Sequence, residues 1–180
     1  MKRLQLLITL LVLAFSGSPA FAQFTQSQMI NEWQRAKAYT KEYLDAMPED
    51  GYSFKLTPEI RSFAQQMLHL ADANYLFGSM GSGKPSPLGH TLPAHNMLEK
   101  SNARTKEATT KAAMDSYDFV INALQQIPPD QWQQSIKFGK ADITRAGLFG
   151  KGFEHQTHHR GQATIYLRLK GVTPPAEKLL

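Results

Sequence analysis

Turn-forming residues cut residues 27–171 into four stretches, each long enough for several helical turns, and this punctuation constrains the fold more than any other feature. The first runs from Ser27 to Met47. Its Met29, Ile30, Trp33, Ala36, Thr40, Tyr43, Leu44 and Met47 sit mostly three or four apart, the spacing of one helix face. Pro48-Glu49-Asp50-Gly51 ends it as a turn. A second helix is expected from Thr57 as N-cap, with Pro58 and Glu59 in its first turn, to Phe77, with Gly78 as the stop. Ile60, Phe63, Ala64, Met67, Leu70 and Ala71 make its apolar face. Gly78 to Thr91 reads as a Gly/Pro/Ser loop, and residues 93–104 as holding a short helical turn. The third helix begins near Thr105, runs through Ala113, Tyr117, Val120, Leu124 and Ile127, and stops at Pro128-Pro129. The last starts around Thr144 and ends at Gly171, with Lys170 in its final turn and Pro174-Pro175 beyond. Tyr52 to Leu56 alternates briefly but is too short to argue for a sheet, and no strand series, repeat or heptad array is visible. The expectation is an all-α fold, a four-helix bundle with long inter-helix loops.

Residues 1–22 read as a signal peptide. Lys2 and Arg3 precede a short apolar run from Leu4 to Phe15, and Ala20-Phe21-Ala22 has the small-x-small pattern of a cleavage site. The run falls short of the roughly 20 apolar residues a spanning helix needs, so no stable membrane insertion is expected after cleavage. Residues 23–180 are enough for one domain with a substantial core. The whole chain carries a net charge of +5, which loss of Lys2 and Arg3 would bring to +3. That excess is scattered, whereas a nucleic-acid surface needs clustered cations, so nucleic acid is not an expected partner. There is no cysteine, which excludes a disulfide framework, a thiol nucleophile and a cysteine-linked lipid anchor. The expected location is a bacterial periplasm or the cell exterior.

Chemistry concentrates in His155-Gln156-Thr157-His158-His159-Arg160-Gly161-Gln162. Residues four apart on a helix share a face, with Cβ atoms roughly 5–6 Å apart. His155 and His159 can therefore aim at one ion, about 2.0–2.1 Å from each nitrogen if it is zinc. The stripe continues through Ala163 and Tyr166, which turns it inward. His158 is rotated about 100° from His159 and reads as a rim or supporting residue. A third ligand must come from His69, His90 or His95. His69 is favoured because it lies mid-helix, and a rigid helix holds a ligand better than a loop. On the helical wheel, however, it lies beside Gln65 and Leu76, nearly opposite Ile60 and Met67, away from the strongest apolar face. Two near-matches fail. Gln156 stands where a zinc peptidase HExxH motif needs glutamate. Residues 78–84 spell the glycines and lysine of a phosphate loop, but Pro85 replaces the magnesium-binding hydroxyl and a helix rather than a strand precedes them.

At these residues the chain resembles the DinB-like family of four-helix bundles. Tyr52 to Arg61 resembles the segment leading into the family's second helix, and Met67 to Tyr75 the helix that carries its first metal histidine. His155 to Gln162, followed by Tyr166 to Pro175, resembles its last helix. The resemblance implies a three-histidine metal site of His69, His155 and His159 between helices two and four, and a homodimer. Relatives of known activity include thiol-cofactor-dependent transferases and isomerases. An exported chain would lie where such thiols are scarce, which argues against thiol transfer here.

Three neutral imidazoles leave a divalent ion with an open coordination position, where it lowers the pKa of water or polarises a substrate oxygen. Zinc or nickel is expected first, with iron or manganese next. The functional expectation is a metal-dependent enzyme, hydrolase-like or transferase-like, acting on a small molecule. Asp72, one turn after His69, and Gln162, near His159, are candidates with His158 to orient ligands or bound water. The alternative is a non-catalytic bundle with a structural, carried or vestigial metal, which a fourth protein ligand such as His158 or His95 would favour.

Overall fold

The computed structural model describes residues 24–92 and 95–179, so the expected signal peptide lies outside the described residues. Four helices dominate: α1 (Gln26–Ala46), α2 (Phe63–Ser82), α3 (Lys106–Gln125) and α4 (Arg145–Leu169). Each begins at a hydroxyl cap. Thr25, Ser62, Thr105 and Thr144 accept from backbone N–H groups that have no partner inside their helices. α2 packs on both α3 and α4, and α1 packs on the same two helices. The helices therefore form a square in which α1 faces α2 across one diagonal and α3 faces α4 across the other. Segments 47–62 and 126–144 cross these diagonals, whereas segment 83–105 joins two helices that pack side by side.

The core has two centres. One gathers Met29, Trp33, Leu70, Tyr117, Val120, Leu124 and Phe149; the other gathers Tyr43, Leu44, Tyr52, Phe63, Met67, Ala163 and Leu167. Among the described residues, no helix is long and apolar enough to cross a membrane.

Three boundaries differ from the sequence reading, each for a physical reason. α2 starts at Phe63 rather than near Thr57, because Ser62 and Gln65 close a capping box at 3.2 and 3.0 Å. The N–H groups of Phe63 and Ala64 are in turn taken by the carbonyls of Phe54 and Tyr52, at 3.1 and 2.9 Å. Gly78 does not stop α2, which runs on to Ser82 and ends at Gly83 with φ +78. A Cβ on Gly78 would sit 3.0 Å from the Phe119 ring, and one on Gly81 would sit 2.7 Å from the Phe149 ring. These glycines let neighbouring helices approach, and the would-be phosphate loop is largely helix.

The third difference is a hairpin, β1 (Ser135–Phe138) and β2 (Ala141–Thr144), paired antiparallel with Phe138 opposite Ala141. Gly139, at φ +61, takes the first central position of its two-residue turn, where a type II′ turn wants glycine. Residues 97–100 form turns without a helix.

A candidate metal centre between the second and fourth helices

His69 projects from α2 towards α4, which is possible because α2 is packed on two sides and has a second inward face. His155 and His159 project back from α4. One nitrogen from each imidazole lies within 4.8 Å of the others. The ring centroids are 5.3 Å apart for His69 and His155, 4.6 Å for His69 and His159, and 4.3 Å for His155 and His159. His155 Nε2 and His159 Nε2 stand 3.1 Å apart. Two nitrogens bound tetrahedrally to one zinc would be roughly 3.3 Å apart, given bonds of about 2.0–2.1 Å. The His155–His159 pair thus has the separation a divalent ion needs, and His69 brings a third nitrogen within 4.8 Å of both.

Electrostatics favour neutral imidazoles. Burial, reinforced by the neighbouring imidazoles, brings His155 down to about 4 and His159 down to about 3. Burial also lowers His69, with Arg61 adding to the effect and Glu99 opposing it. Neutral rings carry the lone pairs a metal needs.

The outward nitrogens of His69 and His159 are held by Glu99, Arg61 and Gln66, which the sequence reading missed, backed by Gln162, which it named; His155 Nδ1 is buried without a partner among the described residues. Glu99 Oε2 lies 2.9 Å from His69 Nδ1, which leaves Nε2 for an ion. Arg61 Nε donates to Glu99 Oε1 at 2.8 Å, and Arg61 Nη2 lies 3.3 Å from the same His69 nitrogen. Burial pushes the Glu99 carboxyl up, but Arg61 and His69 outweigh it and hold Glu99 below the usual range. The Gln66 amide lies 2.9 Å from His159 Nδ1 and is also hydrogen-bonded to the Gln162 amide. Gln162 continues this chain to His158 Nε2 at 2.7 Å.

Asp72 does not touch the histidine cluster. It is fully buried and accepts from the backbone N–H of Leu98 at 3.0 Å and of Glu99 at 2.9 Å. Its Oδ1 also meets His90 Nε2 at 2.7 Å, and His90 Nδ1 meets Ser86 Oγ at 2.9 Å. Asp72 thus fixes the backbone from which Glu99 reaches His69. His90 belongs to this brace and His95 contacts the Leu92 carbonyl, so neither joins the cluster; His158 is exposed beside it. Among the described residues, no fourth protein group completes the ligand set.

Two clefts flank the cluster. One, about 620 Å³, is lined by Arg61, Gln66, Glu99, Gln162 and Tyr166. The other, about 510 Å³, is lined by His155 and His158 together with Phe77 and Phe138, whose rings stack at 5.6 Å. The hairpin is what brings Phe138 there.

The fold and site define a class: a square four-helix bundle in which three histidines that could hold a metal ion converge from the second and fourth helices. The chain belongs to the DinB family, whose profile matches residues 21–180. A DinB-like protein from Bacillus cereus ATCC 10987 shares the fold at a TM-score of 0.70 and 18% identity, over 86% of this chain and 100% of that one. The DinB-like protein YjoA of Bacillus subtilis aligns at a TM-score of 0.66 and 19% identity, over 83% of this chain and 96% of that one. In sequence the chain is 23% identical to YjoA over 154 residues, spanning 82% of this chain and 92% of the relative. It is 22% identical to the uncharacterized protein YrdA of Bacillus subtilis over 158 residues, spanning 84% and 86%.

Proposed function

We propose that this protein is an exported metal-dependent enzyme that acts on a small molecule at a three-histidine centre. The observation that carries this reading is the convergence of His69, His155 and His159 within 4.8 Å, with no fourth protein ligand among the described residues. A divalent ion bound there would polarise a substrate oxygen or lower the pKa of coordinated water.

The chain's own groups prepare that site. Ligation through Nε2 puts the His159 proton on Nδ1, facing the Gln66 amide. The Gln66 oxygen accepts that proton once the amide is turned by half a rotation, an orientation that only the hydrogen-bond pattern decides. Gln162 must then turn with it, offering its NH2 to Gln66 and its oxygen to an Nε2–H of His158. One chain of amides thereby sets the tautomers of His159 and His158 together. Glu99 does the same for His69 by accepting from Nδ1–H. The cleft beside His155, walled by Phe77 and Phe138, offers an apolar surface against which a substrate can lie.

Export is supported by the charged, apolar and small-residue pattern of residues 1–22, and the family match leaves residues 1–20 outside the domain. The test is elemental analysis of the untagged protein together with His69→Ala and His155→Ala. About one metal per chain, lost in both variants, supports the centre and justifies a substrate screen with that metal. Absence of metal after zinc, nickel, iron and manganese have each been supplied would refute it. Unfolding of the metal-stripped protein would instead make the metal structural.

A further inference from the structure

α4 carries a second stripe, rotated away from the histidines. Thr157, Arg160, Gly161, Thr164 and Arg168 recur at three- and four-residue spacing and line a cavity of about 730 Å³, with α1 as the opposite wall and the C-terminal segment 173–179 crossing it. Arg160 is only 6% exposed. Its Nη1 donates to Gln156 Oε1 at 2.7 Å and to Thr40 Oγ1 at 3.5 Å, and its guanidinium lies 4.5 Å from the centre of the Tyr39 ring. All three partners are neutral.

Tyr117 Oη already donates to the same Gln156 oxygen at 2.8 Å, so that acceptor has little left to give. Nε and Nη2 of Arg160 have no protein acceptor among the described residues, and neither Arg160 nor Arg168 has a carboxylate partner there. A guanidinium so deeply buried without a counter-charge is costly, and proteins ordinarily pair such groups. On the facing wall Arg35 is engaged by Glu32 and by the Lys178 carbonyl, while its Nε–H is buried without a partner. Thr164 Oγ1 and Tyr43 Oη, 3.1 Å apart, add hydroxyls to the same cavity. Glu177 of the crossing segment lines the cavity as well, but its carboxylate makes no ion pair with either free arginine among the described residues.

We infer that this cavity is a binding site for a small oxyanion, a carboxylate or a phosphate, held by the buried Arg160 with Arg168 and the Thr164 hydroxyl around it. The guanidinium fork suits either anion, since both present two oxygens at matching separation. Gly161 keeps the floor clear, because a Cβ built there meets nothing within 4 Å. The site is separate from the histidine cluster, so its test does not depend on a bound metal.

The experiment is calorimetric titration of inorganic phosphate, and separately of malonate, into the full protein at an ionic strength held constant with chloride. Saturable one-to-one binding is expected, and the tighter of the two anions identifies the headgroup. Arg160→Gln should weaken it tenfold or more, and Gly161→Leu should abolish it while leaving the fold intact. His155→Ala should leave it unchanged. Binding of neither anion, or undiminished binding in Gly161→Leu, would overturn the site. So would loss of binding in His155→Ala, which would assign the anion to the histidine cluster. Binding that emerges only in Glu177→Gln would show that the chain's own tail fills the cavity, and that also overturns a free-ligand site. If Arg160→Gln does not fold, Gly161→Leu and Arg168→Gln decide, the latter expected to weaken binding severalfold.

Discussion

Replacing Asp72 by asparagine tests whether a residue that touches no ligand nevertheless holds the metal centre together. The buried carboxylate accepts from two backbone N–H groups and meets one imidazole nitrogen, at 3.0, 2.9 and 2.7 Å. Asparagine keeps the volume but turns one oxygen into a donor, so at least one of the Leu98 and Glu99 N–H groups faces another N–H. A buried donor left unmatched costs about 1–3 kcal/mol, and bonds to a charged acceptor are worth more than neutral ones. Leaving one donor unmatched and turning the remaining charge-assisted contacts into neutral ones should therefore destabilise the fold by about 2–4 kcal/mol. For a domain of this size that corresponds to a fall in Tm of roughly 5–15 °C. Because the Glu99 backbone is released at the same time, His69 loses its oriented partner, and metal affinity should fall about 10- to 100-fold. Urea denaturation of the metal-free protein and competitive metal titration read the two effects separately. Asp115→Asn, which removes an exposed carboxylate paired with Lys111, is the control and should change stability by less than about 0.5 kcal/mol. The reasoning fails if Asp72→Asn is as stable as the control. It fails equally if stability drops while metal affinity stays at the native value, because the brace and the centre would then be independent.

Other perturbations have equally definite expectations. Glu99→Gln, which keeps the shape but removes the charge facing His69 Nδ1, should weaken metal binding about tenfold with little change in helicity. His155 and His159 titrate near 4 and 3 when folded, against about 6.5 when unfolded, so below pH 6.5 the unfolded chain binds protons that the folded imidazoles refuse. Stability of the metal-free protein should therefore fall as pH drops from about 6.5 towards 4, and His159→Leu should show a shallower fall over that window in parallel urea titrations. Gly81→Ala places a methyl 2.7 Å from the buried Phe149 ring and should cost about 1–3 kcal/mol despite alanine's better helix propensity. Gly161→Ala, on the same criterion in open space, should stabilise by up to about 1 kcal/mol. Thermal melts of the two variants side by side check the pair.

The histidine pair on α4 was legible because residues four apart on a helix share a face and can ligate one ion, and His155 and His159 have that spacing on an inward stripe. His69 was harder, since a single wheel face cannot describe a helix packed against two others. Glu99 was hidden by distance: it sits 30 residues from His69 in a region with no periodicity. The one available signal was that it is the only acidic residue between Asp72 and Glu107. The start of α2 reads too early from the sequence because Thr57-Pro58-Glu59 has the local chemistry of a helix start; contacts from Tyr52 and Phe54 move the start to Ser62, which closes a capping box with Gln65. Gly78 reads as a helix stop from local chemistry and as a packing residue only once Phe119 is known to lie against it. The hairpin did leave a trace, the alternation of Ile136 and Phe138 before Gly139-Lys140, but strands of four residues fall below the length at which alternation persuades.

Thr144 is the last residue of β2 and also the N-cap of α4, its hydroxyl accepting from Gly147 N–H at 3.0 Å. The hairpin and the ligand-bearing helix consequently share a residue and have no hinge between them. Opening the hairpin removes the cap and frees the first helical turn, so the amides of β1, β2 and residues 145–148 should exchange with solvent as one cooperative unit. In α4, that unit stops short of Gly152, where the close approach of the Phe77 side chain anchors the helix, and the histidines beyond it should stay protected through each opening.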